Sequence, residues 1–174
     1  MFIYHPAFDV FHTAFRMLVI LDSLNEQSVE LERFRIMDFY TVFPFELRKL
    51  NLNEVSNDLK IYKKIIPKEA NPYENILNGF KILERMRPYQ MDAIKFLISY
   101  GYINAEIFNQ NYRIQTMNKE IPLEILNEWE SLSTNASKNA LKLVTGGFAS
   151  VIFNGDKGIK AKSGLLVFRY DPKQ

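Results

Sequence analysis

The chain lacks cysteine altogether and has little glycine, little net charge and no long apolar run. Its 174 residues include no Cys and 7 Gly, and the formal net charge at pH 7 is +2. The absence of cysteine excludes disulfides, thiolate zinc sites and a cysteine nucleophile. So small a net charge does not indicate a dedicated nucleic-acid-binding protein. No stretch of about 18 uncharged apolar residues occurs, so we expect no membrane-spanning helix.

Nucleotide-binding and hydrolase motifs are also missing. The sequence contains no GxxxxGK[ST], GxGxxG, GxSxG or HExxH pattern, which argues against P-loop binding of ATP and against the common hydrolases. No basic segment precedes the first apolar run, and Asp9 and Arg16 interrupt that run, so we expect no signal peptide. These absences fit a cytoplasmic protein without catalytic residues, a cofactor or a bound metal, and they leave only an unusual enzyme as an alternative.

Apolar and aromatic residues are plentiful. Hydrophobic residues make up 47% of the chain, and 14 Phe and 9 Tyr raise the aromatic share to 14%. This composition is typical of a well-filled core, part of which can also serve an interface. The length favours one compact domain over residues 1–174. Two prolines within 67–73 mark a hinge, and the possible lobes are 1–66, 73–117 and 120–174.

The first helix is predicted to start at Pro6, where the missing N–H costs nothing, and to run to Leu21. On a helical wheel most of its circumference is apolar, which is typical of a buried helix. The apolar arc comprises Phe8, Phe11, Ala14, Phe15, Leu18 and Leu21. A narrow polar strip contains the remaining candidates for chemistry, at spacing i, i+4, i+7, i+11: His5, Asp9, His12 and Arg16.

Three interpretations of this polar strip are open. Two histidines and a carboxylate on one helical face can bind a divalent metal, but the chain has no third histidine and Arg16 would repel a cation. Proton-transfer chemistry would need a nucleophile or a substrate pocket, and none is visible. The third interpretation is a structural or interface seam, in which Asp9 pairs with Arg16 or accepts a hydrogen bond from His12.

The rest of the chain predicts a mainly α, α+β fold: a helical bundle with a winged-helix-like unit and a small β-ribbon. Ser28 is predicted to cap a helix over 29–43, which Pro44 ends. The winged-helix-like unit would comprise a helix over 73–86, a second helix that begins at Pro88 and runs over 89–100, and a β-hairpin with its tip at 109–111. The remaining predicted elements are a helical piece over 58–66, helices over 123–132 and 135–144, a loop over 154–164 and a strand over 165–170.

Lysines in the predicted loop are the candidate nucleic-acid contacts. Lys157, Lys160 and Lys162 alternate there with glycines that would let a phosphate approach the backbone. The alternative is a solvated loop that the lysines keep soluble.

Two N-terminal motifs point to a family. The segment YHPAFDxxHTAFRML (4–18) and the later IMDFYTVFP (36–44) resemble the opening signatures of middle-component proteins of the ABC-three-component conflict systems, which partly overlap with the Lamassu antiphage systems. The resemblance covers about the first 45 residues well. It implies an accessory subunit between an SMC-like ABC ATPase and a nuclease-type effector, with DNA contacted indirectly through the complex. In this interpretation the polar strip specifies docking geometry.

The alternative function is a stand-alone winged-helix regulator that binds DNA. Such a protein would bind duplex DNA alone and with steep salt dependence. An accessory subunit would bind DNA weakly or not at all unless its ATPase partner is present.

Overall fold

The fold is known from a computed structural model, which describes residues 5–24, 28–50, 61, 64–66, 76 and 78–166. The described chain is mainly helical with one small antiparallel sheet. Short 3-10 helices cover Pro6–Phe8 and Pro44–Lys49. The α-helices and strands are, in order, α1 Val10–Ser23, β1 Val29–Glu30, α2 Leu31–Val42, α3 Gly79–Ser99, α4 Ala105–Asn111, β2 Arg113–Ile114, α5 Leu123–Leu132, α6 Asn135–Thr145, α7 Gly147–Ser150 and α8 Ile159–Ser163.

The core forms where α1 packs against α3 and α2 packs against α6, with α1 and α2 also in contact. One cluster of buried apolar side chains includes members from all three predicted lobes, among them Met17, Leu97 and Leu143. The first helix is buried over most of its surface, as the apolar arc predicts. Within the apolar arc Phe11 is the exception, because 75% of its surface is exposed.

Helix α2 is buried on all sides and not on one face alone. Every residue from Arg33 to Thr41 is buried, including the charged side chains of Arg33, Arg35 and Asp38. The prediction that Ser28 caps this helix is wrong. Val29 and Glu30 form a strand before the helix begins, and the Ser28 hydroxyl instead accepts a hydrogen bond from Arg113 Nε at 2.9 Å.

The predicted small β-ribbon exists, but its strands differ from those predicted. β1 pairs with β2 in antiparallel register, with Val29 opposite Ile114 and Glu30 opposite Arg113. This pairing joins the beginning of α2 to a segment more than eighty positions later. The segments on either side of 109–111 also meet, through a single antiparallel bridge between Ile103 and Thr116.

The elements that predicted a winged helix are arranged differently. A single helix, α3, runs through Pro88, so the prediction of two helices is wrong. The helix continues because Leu83, Met86 and Gln90 on both sides of the proline are buried in the same core, and this burial offsets the roughly 3 kcal/mol that an interior proline costs.

The predicted hairpin tip at 109–111 is the last turn of α4. The Asn104 side chain caps this helix by accepting a hydrogen bond from the Ile107 N–H at 3.1 Å, and Tyr112 ends it in the left-handed region, at φ 51°. The order of helix, turn, helix and ribbon on which the winged-helix prediction depended is therefore not found.

The C-terminal helices follow the sequence pattern. α5 spans the predicted 123–132, and the Thr134 hydroxyl caps α6 by accepting from the Ser137 N–H at 3.1 Å. The predicted loop over 154–164 is half wrong, since its second part forms α8. The predicted strand over 165–170 begins with two residues that are not in a strand, and its remainder lies outside the described residues, as does the hinge over 67–73 and most of the piece over 58–66.

Candidate functional site

The polar strip does not run along one helix, because the backbone breaks at Asp9. Asp9 is extended (φ −138°, ψ 130°) and forms the N-cap of α1, where its Oδ1 accepts a hydrogen bond from the His12 N–H at 2.9 Å. Capping of this kind satisfies a backbone donor that has no partner within the helix. His5 precedes the break, so its position is set by the short 3-10 helix and not by α1.

His5 is half-buried and packs against the aromatic ring of Phe43. It stacks on Phe43 with 5.2 Å between ring centroids, and its Nδ1 accepts a hydrogen bond from the Ala7 N–H at 3.1 Å. Burial lowers the pKa of His5, and the positive charge of Arg16 lowers that pKa further. The ring therefore favours the neutral form, and one of its nitrogens is already used by the backbone.

His12 is exposed on the first turn of α1. The two histidines therefore lie in different environments, since His5 is half-buried and His12 is exposed. No group of three or more His, Asp or Glu side chains within the described part of the chain is arranged to hold a metal ion.

Arg16 is the strip residue that enters the core. Its guanidinium forms an ion pair with Asp38, with 2.7 Å between Nε and Oδ1. It also donates to the carbonyl oxygen of Pro6 at 2.9 Å and to the hydroxyl of Thr13 at 3.0 Å. Arg16 is therefore part of a buried ion pair whose carboxylate comes from α2 and not from Asp9. The role of the four strip residues as a docking seam stays a prediction.

The Arg16–Asp38 pair continues into a network that joins three helices. The second carboxylate oxygen of Asp38 accepts from Gln90 Nε2 of α3 at 2.8 Å. Gln90 Oε1 in turn accepts from Arg35 Nε at 2.9 Å, and Gln90 Nε2 also donates to the Arg35 carbonyl oxygen at 3.1 Å. The side chains of this polar core network, Thr13, Arg16, Arg35, Asp38 and Gln90, are all buried.

Arg35 forms the surface end of the network. Its Nη1 donates to Glu32 at 2.6 Å, and its Nη2 donates to Glu84 at 3.3 Å and to the Leu83 carbonyl oxygen at 3.2 Å. No buried side-chain nitrogen or oxygen of the described residues lacks a hydrogen-bond partner. Because buried charges are costly unless they are paired and hydrogen-bonded, this saturation is what allows α2 to carry charge inside the core.

A second arginine cluster lies at the start of α2. Arg33 Nε pairs with Glu30 at 2.7 Å, Arg33 Nη1 donates to the Phe148 carbonyl oxygen at 2.9 Å, and the guanidinium lies 5.0 Å from the centre of the Phe153 ring. Burial alone would raise the pKa of Glu30, but the Arg33 hydrogen bond and the charges of Arg33 and Arg113 lower it overall. This cluster ties α2 to the C-terminal segment.

Sequence reasoning missed Arg33, Arg35, Asp38 and Gln90. A signal was present for the first three, since the charged residues of LERFRIMDFYTV are spread over more than half of the helix circumference and narrow its apolar stripe. A helix with such a sequence is either exposed or buried with paired charges. Gln90 gave no signal, because its partners lie 52 and 55 positions away.

The three candidate lysines differ in how far they are exposed. Lys157 is exposed in the turn before α8, whereas Lys160 and Lys162 are half-buried within that helix. Lys160 Nζ lies 5.3 Å from the centre of the Phe153 ring. Lys160 also borders an open groove at the surface end of the polar core network, which is lined by Glu32, Arg35, Phe80, Glu84, Arg87, Lys160 and Leu166.

Comparison with known proteins places the chain in a family. No helix within the described ranges has both the length and the apolar character to cross a membrane. Neither the curated proteins nor the solved structures gave a match. A family model described as ABC-three component (ABC-3C) system Middle Component 5 matches residues 2–171. This match covers nearly the whole chain, so the protein belongs to the middle components of ABC-three-component systems, whose position within a multi-component system implies partner subunits.

Proposed function

We propose that this chain is a non-enzymatic accessory subunit of a cytoplasmic, Lamassu-type antiphage complex. It bridges an SMC-like ABC ATPase and a nuclease-type effector and transmits the conformational change of the ATPase to the effector. The observation on which the proposal rests is the family match over residues 2–171.

The hydrogen bonding of the buried charged side chains supports a docking role over a catalytic one. Arg16, Asp38 and Arg35 have their hydrogen-bonding capacity taken up by partners inside the chain, so they are not available to act on a substrate. They instead hold three helices in one arrangement. A subunit that passes on a movement benefits from such rigidity, because a preorganised surface loses less entropy on binding.

The charge distribution supports indirect contact with DNA. Lys160 and Arg87 border the groove at the surface end of the polar core network, but Glu32 and Glu84 line the same groove. Strong phosphate binding needs clustered cations, and their charge is offset here. Direct contact of Lys157, Lys160 and Lys162 with nucleic acid stays a prediction.

Co-purification tests the proposal. The chain is co-expressed with the ATPase and effector subunits of its own system, an affinity tag is placed on the ATPase, and the eluate is analysed by size-exclusion chromatography and mass spectrometry. We expect a stoichiometric complex that contains this chain. Elution of the ATPase without this chain contradicts the proposal. So does tight binding of the isolated chain to duplex DNA with steep salt dependence, which would favour the regulator.

A further inference from the structure

The two most exposed large hydrophobic side chains of the described residues are Phe11 and Leu132. Their exposed fractions are 75% and 70%. Phe11 lies one turn before Phe15 on α1, and Leu132 lies one turn after Glu128 at the end of α5. Both are at helix positions where a polar residue would be expected in a protein without partners.

The packing of α5 against α1 brings these two side chains to the same end of the helix pair. Phe15 and Trp129 are in ring contact, with 6.2 Å between centroids, while Leu21 and Leu123 border one cleft further along. The helices are therefore antiparallel, and Phe11 and Leu132, each about one turn beyond the Phe15–Trp129 contact on its own helix, are exposed at the same end of the pair. We call this surface the Phe11–Leu132 patch.

The edge of the patch along α5 is acidic. Residues 120–137 contain four glutamates and no lysine or arginine, in a chain whose net charge is positive. Glu124, Glu128 and Leu132 follow one another at four-residue spacing, which places them in one row along the helix. Glu130 pairs with Lys138 at 3.1 Å, but no described residue forms an ion pair with Glu124 or Glu128.

We propose that the Phe11–Leu132 patch docks a basic amphipathic helix of a partner subunit. Apolar side chains of that helix pack between Phe11 and Leu132, and its lysines or arginines meet Glu124 and Glu128. Apolar anchors supply most of the binding energy in such grooves, and the flanking charges supply orientation and specificity. This inference rests on the proposed function, because it describes where one of the two partners binds.

A second copy of the chain fits the patch poorly. A two-fold contact would place the same surface on both sides, and the glutamate rows of the two copies would then face each other at close range. Like charges opposed across an interface oppose association. Duplex DNA is disfavoured for the same reason, since its phosphates would meet these carboxylates.

Two double variants test the site. One is Phe11→Ser with Leu132→Ser, which removes the apolar anchors, and the other is Glu124→Lys with Glu128→Lys, which reverses the charge row. Matched controls change an exposed apolar and an exposed acidic residue elsewhere, as Ile152→Ser and Asp156→Lys. Binding of each variant to the purified ATPase and effector subunits is measured by biolayer interferometry at low and high salt.

We expect each double variant to weaken binding of one partner by about tenfold or more, while both controls bind as the wild type does. Wild-type binding of that partner should weaken with salt, and binding of the charge-reversed variant should not. Thermal melting curves should match the wild type, because all four side chains are exposed.

The outcomes separate this inference from the proposed function. If the wild-type chain binds neither partner, the proposed function fails. If the wild type binds and both double variants bind equally well, the function stands and the patch assignment is wrong. A wild-type dimer in light scattering that both double variants abolish would assign the patch to a second copy and overturn the inference.

Discussion

Removing one partner of the Arg16–Asp38 ion pair leaves the other as a buried charge without its counterion. We expect Asp38→Ala to lower the free energy of unfolding by about 3–5 kcal/mol, the usual cost of breaking a buried pair. Replacing both partners, as Arg16→Met with Asp38→Leu, should restore much of that loss because no charge then remains unpaired. Chemical denaturation measures both effects.

A surface ion pair provides the control for this experiment. Asp92 pairs with Lys95 at 3.3 Å, and both side chains are exposed. Asp92→Ala should therefore cost less than about 1 kcal/mol. A loss at Asp38 no larger than the loss at Asp92 would show that the polar core network does not contribute to stability as its burial implies.

His5 should make the free energy of unfolding of the protein depend on pH. Its pKa in the folded protein lies below the ordinary histidine value of about 6.5, so the unfolded chain takes up a proton first as the pH falls. The contribution of His5 is therefore fully present above about pH 6.5 and is lost as the pH falls from there through the lowered folded pKa. In a His12→Asn background, where His5 is the sole histidine, urea unfolding between about pH 5.5 and 7.5 should show this loss.

Replacing His5 as well, as His5→Gln, should flatten that pH dependence. The substitution keeps a polar side chain but removes the titrating ring. An unchanged pH profile in the His5→Gln chain would mean that groups other than His5 cause the loss.

At the scale of helices, Pro88 is exposed in the middle of α3. It lacks the N–H that would bond to the preceding turn, and its ring crowds that turn. We expect Pro88→Ala to raise the free energy of unfolding by about 1–2 kcal/mol, since the restored hydrogen bond outweighs the greater entropy of the unfolded chain. Pro122→Ala, which precedes α5, should give no such gain. A loss of stability in Pro88→Ala would contradict this prediction.

How far the sequence predicted each helix depended on whether the signal was local. Asn104 is a local signal for α4, because an asparagine before a helix-forming segment is a regular N-cap. The strand-like residues around 109–111 are a competing local signal, and they indicate a hairpin instead. The burial of α1 can be predicted from its apolar arc. The ion-pair partner of Arg16 cannot, because a helical wheel compares only residues of one helix and Asp38 lies 22 residues away on another helix.

At the scale of the whole molecule, the polar core network joins segments from the first two predicted lobes, and the shared apolar cluster joins segments from all three. The single tryptophan, Trp129, packs on Phe15 of α1 from the opposite end of the sequence. We therefore expect tryptophan fluorescence and far-ultraviolet circular dichroism to report the same denaturant midpoint, as in cooperative unfolding of one domain. Two separate midpoints would instead indicate lobes that unfold independently.

The polar core network also sets an order of events during synthesis. Arg16 and Asp38 leave the ribosome early, but Gln90, which completes the bonding of both Asp38 and Arg35, belongs to a helix made much later. Until α3 has emerged, Asp38 and Arg35 lack the hydrogen bonds to Gln90 that accompany their burial. The apolar helix α1 also lacks its main packing partner. We therefore expect the first half of this protein to depend on chaperones at the ribosome, and truncation before α3 should yield an aggregating fragment and not a smaller folded one.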